Sequence, residues 1–128
     1  MTETDLVQRW RTVLAQHAAT SCALERALQE HALSVSEFEA LERLVESPEK
    51  LRIQELSDAL HLSQSATTRV VARLEADGLL CRTMCSDDRR GVHACISDEG
   101  RARYAAARDA HRRVLAEQLD AAPLPAGA

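Results

Sequence analysis

Gln64, Ser65, Thr68, Arg69 and Arg73 recur at helical spacing and fall on one face of residues 63–77, interleaved with Ala72. An amide, two hydroxyls and two guanidiniums on an opening helix suit one chemistry well. The short polar groups reach base edges in a DNA major groove, and the cations reach phosphates. A second group follows in Ser86-Asp87-Asp88-Arg89-Arg90-Gly91. Two arginines at a hairpin tip are a compact probe for a narrow, electronegative minor groove. A solvated charged turn is the plain alternative for Asp88, Arg89 and Arg90.

The third group is made of thiols. If a hairpin pairs Cys81 with Cys95, then Cys81, Cys85, His93 and Cys95 share one parity and one face. Three thiols and an imidazole suit zinc, but Cys81-x-x-x-Cys85 lacks the tight spacing of a structural zinc knuckle, and no metal is expected. Neighbouring thiols also suit a disulfide or sulfenic-acid switch at Cys81, Cys85 and Cys95. The bland reading makes them small, half-buried hydrophobes. One slip of register would move Cys95 to the other face.

These groups need elements to hold them. Ile53, Leu56, Ala59 and Leu60 repeat at helical spacing. After a short break containing His61, Ser63 can cap the next helix, in which Thr67, Val70, Val71 and Leu74 face inward. Gly78 stands where that helix must stop. Residues 79–85 and 92–97 are β-compatible runs on either side of the polar turn. Leu51 to Ile53 is a candidate short strand against them. The order is helix, turn, helix and hairpin.

Leu62-Ser63-Gln64-Ser65, then Thr68-Arg69-Val70-Val71-Ala72-Arg73-Leu74-Glu75, Gly78-Leu79, Asp88-Arg89-Arg90 and Ile96-Ser97-Asp98-Glu99-Gly100 form an ordered set. This set resembles the multiple-antibiotic-resistance regulator (MarR) family. The likeness spans residues 5–119 in order of elements and is sharpest from 51 to 100. The resemblance implies a mainly α fold with a small β-wing, a winged helix-turn-helix with long dimerisation helices. It further implies a homodimer on double-stranded DNA at a pseudo-palindromic operator, acting as a repressor that a small effector releases. Family members take small aromatic acids beside the dimer helices; here Trp10, His17 and Tyr104 are the candidate walls. Asp88-x-Arg90 matches the family's wing pattern, whose arginine enters the minor groove; the resemblance implies that Asp88 holds Arg90 by a charge-assisted bond and leaves Arg89 for a phosphate.

Composition sets limits on these expectations. The chain has 128 residues and a net charge of −4, which by itself disfavours a nucleic-acid binder. The distribution is uneven. Residues 1–60 carry six Lys+Arg against eleven Asp+Glu, whereas residues 61–113 carry ten Arg against seven acids. The basic part coincides with the expected reading helix and wing. Aromatics make up 2% of the chain, so a lone subunit has few large side chains for a core, which favours an oligomer. No apolar run reaches spanning length and no signal peptide precedes Trp10, so a cytoplasmic protein without membrane contact is expected.

The whole chain, 1–128, reads as a single domain: dimerisation helices at 5–31 and 98–119, the winged helix-turn-helix at 34–97 and a flexible tail at 120–128. Ser34 and Glu37 form a capping box, and Leu33 with Phe38 a hydrophobic staple. Ser97 can cap the last helix, and Pro123 and Pro125 follow it. No nucleophile elbow, phosphate loop or paired carboxylates occur, so neither an enzyme nor a cofactor is expected. Two other readings stand beside the regulator: a thiol-based redox sensor, and a winged-helix module that binds protein instead of DNA. The second would want acidic or apolar residues where Arg69, Arg73, Arg89 and Arg90 stand.

Overall fold

A computed structural model describes residues 1–84 and 91–121. The described residues form five helices, α1 (Glu3–Gln29), α2 (Val35–Glu46), α3 (Ile53–Leu60), α4 (Gln64–Ala76) and α5 (Asp98–Ala121). Three short strands, β1 (Leu51–Arg52), β2 (Leu80–Met84) and β3 (Val92–Ile96), complete it. The strands form one antiparallel sheet in the order β1-β3-β2. Mainly helical, with a three-stranded wing, this is a winged helix-turn-helix flanked by two long helices.

The ends of the elements follow local chemistry. Ser34 accepts from the Glu37 N–H, and the Glu37 carboxylate accepts from the Ser34 N–H. Leu33 and Phe38 are buried on either side of that box, as a staple requires. Between α3 and α4, His61 takes a left-handed conformation with φ +56°. Gly78 has φ +74° and closes α4 in a Schellman arrangement. Its N–H donates to the Glu75 carbonyl at 3.0 Å, and the Leu79 N–H to the Leu74 carbonyl at 2.9 Å.

The outer helices differ from expectation at their ends. The first helix begins at Glu3 rather than residue 5, because Thr2 and Asp5 form a capping box of their own. It stops at Gln29 rather than 31, where Ala32 turns left-handed (φ +55°) and Leu33 N–H reaches back to the Leu28 carbonyl. The last helix continues two residues past Leu119 to Ala121. Of the expected tail, residues 122–128 lie outside the described residues.

One core joins the elements. Phe38, Leu41 and Leu44 of α2 meet Leu56 of α3, Val71 and Leu74 of α4, Leu79, Leu80 and Ala94 of the wing, and Tyr104 and Ala107 of α5. α1 adds Leu28 and packs along α5. Its first half is different. Leu6, Trp10, Val13 and Leu14 form a stripe at helical spacing that this chain leaves open, with Trp10 60% exposed. No helix among the described residues is long and apolar enough to cross a membrane.

Candidate nucleic-acid interface

Helix α4 presents its polar face to solvent because its other face is the core. Thr67, Val71 and Leu74 are buried, whereas Gln64, Ser65, Thr68, Arg69 and Arg73 are all exposed. The Ser63 hydroxyl accepts from the Ala66 N–H at 3.1 Å and so fixes the start of the helix. Thr68 Oγ1 donates to the Gln64 carbonyl at 2.9 Å, which commits its proton to the backbone. Toward a base edge, Thr68 therefore offers lone pairs and a methyl group rather than a donor. Gln64 keeps both amide functions at the N-terminal end.

The wing stands beside this face. Between them lies a cleft of about 400 Å³ bordered by Arg52, Gln64, Thr68, Arg82 and Gly91. Arg82 of β2 bridges to Glu75 near the end of α4, with Nη2 2.8 Å and Nε 3.0 Å from Oε1. The hydrogen bond from Arg82 holds the Glu75 carboxyl below its ordinary value, and Glu75 in turn raises the guanidinium. Helix α4 and the wing are thus tied by charge as well as by chain. Asp88, Arg89, Arg90 and Cys85 lie outside the described residues, flanked by Met84 and Gly91.

The hairpin register pairs Cys81 with Cys95, Thr83 with His93 and Arg82 with Ala94. Cys81 and Cys95 are therefore directly opposed on the outer face, while Leu80 and Ala94 point into the core. Both thiols are free, Cys81 exposed and Cys95 half-buried. Among the described residues, no three His, Cys, Asp or Glu side chains are grouped to hold a metal ion.

A further set of polar residues escaped the sequence reading. Glu42 is buried on α2, and it accepts from the Tyr104 hydroxyl at 2.7 Å and from Arg112 Nη2, both on α5. Burial pushes the Glu42 carboxyl up. The bonds from Tyr104 and Arg112, with the Arg112 charge, outweigh this and hold it below its ordinary value. Burial and the Glu42 carboxylate raise the Tyr104 phenol. His111 stacks on Phe38 with ring centroids 4.2 Å apart, and Arg112 Nη1 lies 2.7 Å from its Nδ1. The signal was available: Phe38, Leu41, Glu42 and Val45 fall at i, i+3, i+4 and i+7, so a carboxylate lies on the apolar stripe.

This network changes the picture of the proposed effector walls. Tyr104 is packed against Phe38 at 5.2 Å and bound to Glu42, whereas Trp10 and His17 are exposed on α1. Neither the α4–wing cleft nor a second cleft of about 550 Å³ between the α2–β1 loop, β3 and Arg101 includes any of the three.

Known proteins share this arrangement. The family model described as MarR family matches residues 33–92. The chain is 30% identical to the HTH-type transcriptional regulator PecS of Dickeya dadantii (strain 3937), over 75% of this chain and 68% of that protein. It is 36% identical to YkoM, an uncharacterised HTH-type transcriptional regulator of Bacillus subtilis (strain 168), over 56% of this chain; the match spans 46% of YkoM, under half its length. Among solved structures, Sco3205, a MarR family transcriptional regulator from Streptomyces coelicolor in complex with DNA, superposes with a TM-score of 0.85 at 28% identity. That match covers 98% of this chain and 79% of Sco3205.

Proposed function

Since the chain belongs to the MarR family of transcriptional regulators, we propose that it acts as a homodimer on a pseudo-palindromic DNA operator and represses transcription until a small effector releases it. The observation that carries this reading is the exposed face of α4. Its polar and cationic side chains are exposed and have no role in the core, and two of them, Gln64 and Thr68, border the cleft against the wing. Gln64, Ser65 and Thr68 read base edges. Arg69 and Arg73 take phosphates, and Arg89 and Arg90 take the flanking phosphate and minor groove. Sco3205, a MarR family regulator whose structure is in complex with DNA, supports a DNA-binding role for this chain.

Dimerisation is supported by the open stripe on α1. Leu6, Trp10, Val13 and Leu14 are too many large apolar residues to leave in water on one helix. A second copy covers them by laying its own α1 and α5 against this face. The two recognition helices then meet one side of the duplex about 10 bp apart. An effector needs no contact with DNA. It shifts the population by binding better to a dimer whose helices are wrongly spaced.

Selection of bound sites from random duplexes at fixed salt, followed by titration, tests the proposal. Recovery of an inverted repeat with half-sites about one turn apart is expected. Arg73→Ala should weaken every duplex alike and lower the salt slope by about 1 per lost contact, whereas Gln64→Ala should change the preferred sequence. Undiminished affinity when about 5 bp is inserted between half-sites would mean that the subunits bind independently.

A further inference from the structure

We propose that Cys81 and Cys95 are a two-thiol oxidation site on the outer face of the wing, which a hydroperoxide converts to an intrachain disulfide that weakens DNA binding. The last clause rests on the function proposed above; the chemistry of the site does not.

The register carries the argument. Cys81 and Cys95 are directly opposed partners in an antiparallel pair. Opposed residues in such a pair have Cα atoms about 4.5 or 5.5 Å apart, depending on the hydrogen-bonding phase. Disulfides form at Cα separations of roughly 4.4–6.8 Å, so either phase permits one. A second observation places the sulfur. Cys95 Sγ lies 3.7 Å from the Cys81 carbonyl oxygen and donates to it, so the Cys95 side chain already leans across the ladder toward its partner. Both thiols are free in this structure, and both are on the face turned away from Leu80 and Ala94.

The two thiols differ in exposure, and this sets their order of reaction. Cys81 is exposed and meets the oxidant first. Its thiolate attacks one peroxide oxygen, the O–O bond breaks, and the alcohol, or water from hydrogen peroxide, leaves with a proton. Cys81 is then a sulfenic acid. The Cys95 sulfur attacks it, the S–O bond breaks, and water leaves with the remaining proton. Two thiols lose two electrons together, and the peroxide gains them. Half-buried Cys95 is thereby the resolving residue.

The link must tighten the hairpin. Disulfide Cβ atoms lie about 3.8 Å apart, whereas opposed strand residues keep them about 4.5–5.5 Å apart. The strands must close by about 1 Å and twist, and a bond formed under such strain is readily reduced. Arg82, the next residue, holds Glu75 on the recognition helix. Tightening at Cys81 therefore re-aims both the wing and its tie to α4.

The test uses the full chain carrying Cys22→Ser and Cys85→Ser, which leaves the opposed pair. Reduced protein treated with hydrogen peroxide should lose both remaining thiols and two hydrogens of mass. Digestion without reductant should give one peptide pair joined through Cys81 and Cys95, and dithiothreitol should reverse the change. Two thiols still titratable, or a sulfinic acid on Cys81 beside a free Cys95, would overturn the site. So would a Cys81–Cys85 link as the main product in the unsubstituted chain. Affinity for a selected duplex should fall about tenfold on oxidation, the size of one lost wing contact, and recover on reduction. A clean disulfide with unchanged affinity would overturn the coupling to DNA. If the reduced protein binds no duplex at all, the functional reading fails, while the peptide map still decides the thiol site.

Discussion

Gly100→Ala should destabilise the protein although it places the best helix former in a helix. A Cβ built at Gly100 would lie 2.1 Å from the Leu79 carbonyl oxygen, 2.8 Å from Ile96 Cγ1 and 3.0 Å from the Leu79 carbonyl carbon. Two of these three neighbours are backbone, which cannot swing aside as a side chain does. The Leu79 oxygen also accepts the Ser97 N–H at 3.1 Å, so displacing it strains a second bond. Overpacking costs about 1–3 kcal/mol, and weakening that hydrogen bond adds about 1 kcal/mol. The helix propensity of alanine over glycine returns about 1 kcal/mol. The net loss is about 2 kcal/mol, or a melting temperature lower by about 8 °C for a chain of this size. Scanning calorimetry at matched protein concentration measures it, because a dimer's melting temperature depends on concentration. Ala102→Gly, exposed on the same helix, is the control and should lose about 1 kcal/mol from propensity alone. If Gly100→Ala is neutral or stabilising, the contact between α5 and the base of the wing is not as close as described.

Three other substitutions probe separate features. Glu42→Gln should flatten the acid limb of stability: the carboxyl is lowered in the fold, so its contribution is present above the ordinary value of 4.5 and fades as pH falls through the lower folded value. Urea unfolding from pH 3 to 7 reads this, and an unchanged pH profile would remove Glu42 from the linkage. Ala32→Gly should raise stability by about 0.5 kcal/mol, since a left-handed alanine is strained and glycine is not, less the extra freedom that glycine gives the unfolded chain. Trp10→Glu should shift the protein toward monomer in sedimentation velocity, and an unaltered dimer would show that the α1 stripe is not the contact.

Much of the wing and helix-turn-helix was legible because its signals are local. Ser34 with Glu37, Ser63 and Gly78 each act within a few residues, and each appears in the structure in the role its chemistry suggests. The pairing of Cys81 with Cys95, only a condition in the sequence, is the register the hairpin adopts. What could not be read joins distant parts. The Glu42 network links residues 62 and 70 positions apart, and no local pattern reports such a pairing. Tyr104 looked like an effector wall from its size and polarity, whereas its hydroxyl is engaged by a carboxylate on another helix. The α1 start was a smaller omission, since Thr2 and Asp5 have capping spacing in plain view. The charged tip of the wing, Asp88 to Arg90, lies outside the described residues, so its role rests on the sequence and on the proposal.

The pinning of the hairpin base has a mechanical consequence. Ser97 donates its hydroxyl to the Gly78 carbonyl at 2.7 Å and its N–H to the Leu79 carbonyl, so the end of α4, the base of the wing and the start of α5 meet at one point. A force that swings α5 must carry the other two with it. With 24 residues and a rise of 1.5 Å each, α5 is a lever about 36 Å long. A tilt of only about 5.4° about its far end moves the pinned end by about 3.4 Å, which is the rise of one base pair. Very small angular changes, distant from the duplex, are therefore enough to put α4 out of step with a groove.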